Sequence, residues 1–65
     1  MEWLKKARIE KGLSGEVVGE RAGITQQHYN FIENGKRRPS VEVAKRLAAV
    51  LDFEWTRFFE DSESA

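Results

Sequence analysis

The 65-residue sequence predicts an all-α domain of five short helices. Three observations carry the expectation. Apolar residues recur at helical spacing, with no two-residue alternation of the kind strands show. Ser14, Thr25 and Ser40 each stand where a helix needs an N-cap, and Gly12, Gly23 and Gly35 each follow a helical pattern as stops. The expected organisation is one domain over residues 1–60 and an acidic tail over 61–65.

The first helix is expected over residues 2–10, where Leu4, Ala7, Arg8 and Lys11 follow helical spacing beside Trp3. Arg8 falls on its apolar side. Ser14 caps a second helix with Glu16 in its first turn and Val17, Val18 and Ala22 pointing inward, ending at Gly23. Thr25 caps a third helix that runs to Glu33 or Asn34 and is closed by Gly35. Pro39 holds Arg38 extended before Ser40 caps a fourth helix, whose Val43, Ala44, Leu47, Ala48 and Leu51 share one face. A short fifth helix is expected from about Glu54. Phe53, Trp55, Phe58 and Phe59 crowd this end and are expected to close over the first helix and Trp3, any exposed remainder forming a self-association patch.

A chain this short buries only about 60% of the surface its unfolded form exposes, so the core must be small and well packed. With no cysteine and a single histidine, His28, no disulfide framework or metal site is expected, and no cofactor or small-molecule ligand either. Nothing resembles a secretory leader or a membrane span, so a cytoplasmic protein is expected. The scattered carboxylates, Ser14 and His28 show no catalytic spacing, which argues against an enzyme. Net charge is zero, but unevenly spread: residues 1–50 hold ten Lys and Arg against six acidic residues, and residues 51–65 hold Arg57 against five. Salt screens charges beyond roughly 8–10 Å, so the basic body can still attract phosphate.

The third helix sorts into two faces. Tyr29 and Ile32 share one, with Thr25 and Glu33 at its edges, while Gln27 and Phe31 point the opposite way, flanked by Asn30 and His28. Gln26 lies ahead in the first turn. Glutamine pairs a donor with an acceptor and so matches the edge of adenine in the major groove. The short turn Ala22-Gly23-Ile24 requires the second and third helices to cross closely, and Gly19 suits that approach. Behind the third helix, Asn34, Gly35, Lys36, Arg37 and Arg38 form a loop whose cations and free backbone N–H groups are expected to grip phosphates, as are the amides at Ser14-Gly15-Glu16.

Leu13-Ser14, Ala22-Gly23-Ile24-Thr25-Gln26-Gln27 and Ile32-Glu33-Asn34-Gly35-Lys36-Arg37-Arg38-Pro39-Ser40 together resemble the Cro/CI-type (XRE-family) helix-turn-helix domain of lambdoid phage repressors and bacterial regulators. The similarity spans roughly residues 3–59. It implies a compact lambda-repressor-like fold in which the second and third helices read double-stranded DNA. Gln26 and Gln27 carry over as base readers, and Phe31 occupies a further base-contacting position, where it can touch a thymine methyl but cannot hydrogen-bond. Asn30 is placed with them. Ser14, Gly15, Thr25, His28, Asn34, Lys36, Arg37 and Arg38 are placed on the DNA backbone. The resemblance also implies a structural Arg8–Glu33 ion pair, consistent with both residues bordering apolar faces.

Two positions depart from that family's pattern. Gly15 stands where a glutamine usually contacts phosphate and braces the first recognition glutamine, so operator binding is expected to be weaker or more salt-sensitive than in a Gly15→Gln variant. Asp52 replaces the glycine after the fourth helix, and is expected to cap the fifth. The expected function is sequence-specific transcriptional regulation, as a repressor, by a homodimer on a palindromic operator, with dimerisation through the fourth and fifth helices and the C-terminal aromatics. The alternative is a protein-interaction module of the same fold that binds a toxin, a sensor or another regulator through Tyr29, Phe31 and those aromatics.

Overall fold

A computed structural model describes residues 1–60. It contains α1 (Glu2–Glu10), α2 (Gly15–Ala22), α3 (Gln26–Glu33), α4 (Val41–Leu51) and α5 (Arg57–Glu60), and no strand among the described residues. The acidic tail expected over 61–65 lies outside those residues. Among the described residues, no helix is long and apolar enough to cross a membrane.

The helix boundaries follow from local chemistry. Ser14, Thr25 and Ser40 each hold extended backbone, and their hydroxyls accept from the amides of Val17 at 3.2 Å, His28 at 3.0 Å and Val43 at 3.2 Å. Each such cap stabilises its helix by roughly 1 kcal/mol. The other ends share one device. After α1, α2, α3 and α4 the chain turns through a left-handed residue, namely Gly12, Gly23, Gly35 and Asp52, and the next amide bonds back to the carbonyl five residues earlier. Leu13 thus donates to Arg8, Ile24 to Gly19, Lys36 to Phe31 and Phe53 to Ala48.

Asp52 corrects an expectation. At φ 64° it adopts the left-handed conformation of the glycine it replaces and ends α4, rather than capping α5. It stands too far ahead of Arg57 for that. The fifth helix is also shorter than expected. Around Glu54 to Phe59 the chain bonds three residues apart, Arg57 to Glu54, Phe58 to Trp55 and Phe59 to Thr56, which is the tighter pattern of a 3₁₀ turn.

The core is one cluster: Leu4, Val18, Ala22, Tyr29, Ile32, Ala44, Leu47, Leu51 and Phe58. α2 lies at its centre and packs on both α3 and α4, while α1 packs on α3. Val43 is half-buried and packs against this core, while Val17, expected to point inward, is only half-buried. Of the C-terminal aromatics, Phe53 and Phe58 close over α1 as expected, while Trp55 pairs with Phe59 at 6.0 Å and carries Lys45 of α4 over its ring at 5.1 Å. Trp3 meets Phe53 edge-on at 5.1 Å and Phe58 at 5.2 Å between ring centroids, and the Arg57 guanidinium lies over the Trp3 ring at 4.5 Å. Phe58 is buried and Phe53, Trp55 and Phe59 are half-buried; the large apolar side chains most open to solvent are Ile9, Phe31 and Val41.

Candidate nucleic-acid interface

The position of α3 is set by how closely α2 approaches it. A Cβ on Gly19 would lie 3.0 Å from the carbonyl oxygen of Thr25 and 3.2 Å from that of Ile24. Those are backbone atoms and cannot rotate away. Only glycine leaves room for the turn to fold back over α2, so the small-residue reading of position 19 holds. At the turn itself, Gly23 has φ 77°, and the Arg46 guanidinium reaches it from α4. Nothing in the sequence pattern had singled out Arg46.

The inner face of α3 is locked in place. Tyr29 and Ile32 are fully buried. Glu33 receives the Tyr29 hydroxyl at 2.6 Å and Arg8 Nε at 2.9 Å, and Arg8 Nη1 also donates to the carbonyl of Leu13 at 3.0 Å. The ion pair named from the resemblance is therefore present, and it ties together α1, the α1–α2 turn and α3. Burial acts to raise the pKa of the Glu33 carboxyl, but the hydrogen bonds and charge from Arg8 and the bond from Tyr29 outweigh it and hold the carboxyl below its ordinary value. Burial and the adjoining carboxylate push the Tyr29 phenol upward, so it stays protonated as a donor.

The outer face is open. Gln26, Gln27, Asn30 and Phe31 are exposed, and Phe31 is 38% accessible; His28 is half-buried. Gln26 and Gln27 form the first turn of α3 directly after the Thr25 cap. Asn30, expected among the base readers, shares this exposed face. Its Oδ1 stands 3.1 Å from where a Cβ on Gly15 would be, at the seam between α3 and the first turn of α2.

The loop behind α3 presents Asn34, Lys36, Arg37 and Arg38 to solvent, rooted by a buried Pro39. Among the described residues, Lys36, Arg37 and Arg38 form no ion pair. One expectation is corrected here. The amides of Asn34, Gly35, Lys36 and Arg37 all bond back to α3, to Asn30, Ile32 and twice to Phe31, because the left-handed closure uses them. Up to Arg37, this loop has side chains to offer a phosphate rather than free amides. The Ser14 and Thr25 hydroxyls accept the helix caps but keep their own O–H groups to donate.

This arrangement joins a locked helix, an exposed face bearing side-chain amides, and exposed cations on the loop that follows. The sequence signature of the helix-turn-helix family matches residues 4–58. The chain is 52% identical over 60 residues to an uncharacterized HTH-type transcriptional regulator, YqaF of Bacillus subtilis strain 168, an overlap of 92% of this chain and 79% of that protein. It is 36% identical over 61 residues to the control protein C.MunI of a Mycoplasma species, covering 92% of this chain and 82% of that one. It is also 38% identical over 50 residues to an uncharacterized SPbeta prophage-derived HTH-type regulator, YonR of Bacillus subtilis strain 168, covering 77% and 46%. No solved structure gives a significant match.

Proposed function

The chain belongs to the XRE-type helix-turn-helix family of DNA-binding transcription regulators, and from that premise we propose that it is a sequence-specific repressor that reads a palindromic operator as a homodimer. The observation that carries the reading is the division of α3. Tyr29, Ile32 and Glu33 hold one face into the domain, which leaves Gln26, Gln27 and Phe31 exposed on the other. Two glutamines in the first turn of a helix fixed in this way suit paired contacts to adenine, and the Phe31 ring suits a thymine methyl. Lys36, Arg37 and Arg38, with Ser14, Thr25, His28 and Asn34, hold the sugar–phosphate backbone and set the register. The α4–α5 region with its half-buried Trp55 and Phe59 forms the dimer contact, and the protein acts in the cytoplasm, without a small-molecule ligand or catalysis.

The test is selection of duplexes from a randomised pool, followed by titration at several salt concentrations. A palindrome with half-site centres about 34–36 Å apart is expected, with affinity falling steeply as salt rises. Sedimentation of the complex should give two chains per duplex, and the operator placed upstream of a reporter should lower expression. Absence of binding to any duplex at low salt would overturn the reading in favour of a protein-interaction module.

A further inference from the structure

One aromatic ring takes no part in the packing of the domain. Trp3, Phe53 and Phe58 pack against one another, Trp55 pairs with Phe59, and Tyr29 is fully buried. Among the described residues this leaves Phe31, which is 38% accessible on the face of α3 that also exposes Gln26, Gln27 and Asn30. It follows Gln27 by one helical turn, so the two side chains are neighbours on that face. Its backbone is held in place. The Phe31 carbonyl accepts the amides of Lys36 at 2.8 Å and Arg37 at 3.1 Å, so the residue that presents the ring also anchors the basic loop.

We infer that Phe31 reads the C5-methyl group of a pyrimidine rather than the identity of the base, so that its step of the operator accepts thymine and 5-methylcytosine alike and disfavours uracil and unmethylated cytosine. The inference rests on the DNA-binding reading above. In the major groove thymine and cytosine differ by an O4 acceptor against an N4 donor, and thymine adds the C5-methyl group. A phenyl ring cannot hydrogen-bond to either polar group, so it does not sense that difference. It gains only from apolar contact. A methyl group on cytosine C5 occupies the same ring position as that of thymine, and offers the ring the same contact.

Methylation of a cytosine at that step therefore strengthens the site. Burying one methyl group raises affinity roughly fourfold, and a homodimer meets the step once in each half-site, which gives on the order of tenfold for the pair. The glutamines respond differently. Their paired contacts select a base by its hydrogen-bonding edge, which a C5-methyl group leaves unchanged.

The experiment first measures the wild type and Phe31→Ala on the selected operator and its single-base variants, which locates the step where their preferences differ. Thymine, uracil, cytosine and 5-methylcytosine are then placed at that step in both half-sites, each opposite its pairing partner. Phe31→Ala should melt within about 2 °C of the wild type, because the ring is exposed and outside the core. The wild type should bind the thymine and 5-methylcytosine duplexes within about threefold of each other, and the uracil and cytosine duplexes on the order of tenfold more weakly. Phe31→Ala should bind all four within about threefold and keep the wild-type preferences at the other steps. Uracil bound as tightly as thymine would overturn the inference, as would 5-methylcytosine bound no better than cytosine, or identical base preferences in the two proteins. A wild type that binds no duplex is a failure of the DNA-binding reading itself, and takes this inference with it.

Discussion

Arg8 and Glu33 are joined by a 2.9 Å bond from Nε to Oε1, which fastens α1 to the last turn of α3 across 25 positions of sequence. The two side chains are 18% and 13% accessible, so the pair is screened from most solvent. Removing one partner strands a partly buried charge, and such losses run to about 3–5 kcal/mol only for fully buried pairs. Arg8→Ala also leaves the carbonyl of Leu13 without its donor. It is expected to lose about 2 kcal/mol by urea denaturation, less than a fully buried pair would, and a loss under about 1 kcal/mol would show that the pair is not structural.

The same pair makes stability depend on acid. The folded Glu33 carboxyl titrates below the ordinary Glu value of about 4.3, so the unfolded chain takes up that proton more readily than the folded one. The stabilisation is complete above the unfolded value and lost as pH falls through the folded value. Urea midpoints of the wild type should therefore drop as pH falls from about 5 towards 3. Glu33→Gln should start lower and drop less; parallel curves for the two proteins would contradict the assignment.

Gly19→Ala tests whether α2 and the turn touch as closely as their backbones indicate. Alanine would improve helix propensity by roughly 1 kcal/mol, but its Cβ would press on the Thr25 and Ile24 carbonyls. Overpacking of this kind costs about 1–3 kcal/mol. Since the opposing atoms are backbone, the clash should win, with a net loss of about 1 kcal/mol or more seen as a lower Tm, and with weaker operator binding as the front of α3 shifts.

Asp52→Gly should do the reverse. Asp52 holds φ 64°, a conformation that disfavours side chains, and its carboxylate is highly exposed, 3.7 Å from Lys11 Nζ. An exposed pair of that length contributes little. Relief of the left-handed strain should raise stability by up to about 1 kcal/mol, and thermal melts that show a loss would mean the Lys11 contact matters more than the backbone.

On DNA, Gln27→Ala and Arg37→Ala should fail in different ways. Losing the glutamine should relax preference at one base pair by about 1–3 kcal/mol, while losing the arginine should weaken all sequences alike and reduce the salt dependence by about one charge. Binding to the selected operator and its single-base variants at two salt concentrations separates the two patterns.

Much of this fold was legible in advance because its signals are local. Ser14, Thr25 and Ser40 cap the helices they precede, and the three glycine stops turn left-handed, since both effects act within about one turn of helix. The split of α3 into Tyr29 and Ile32 inside and Gln27 and Phe31 outside follows from helical periodicity alone. Asp52 was misread because its type, a good cap, suggested a following helix. Its conformation is decided by the closure of α4.

By itself, then, the sequence determined an all-α chain, its caps and turns, the glutamine-bearing face of α3 and the basic loop behind it. The tertiary structure decided that the loop amides as far as Arg37 are spent on closing α3, that α5 begins only at Arg57, and that Gly19 faces the Thr25 and Ile24 carbonyls. The physical reason is one of range. Caps and periodicity depend on neighbours a few residues apart, whereas the space left at Gly15 and Gly19 depends on how closely two helices approach, which the packing of the whole core sets.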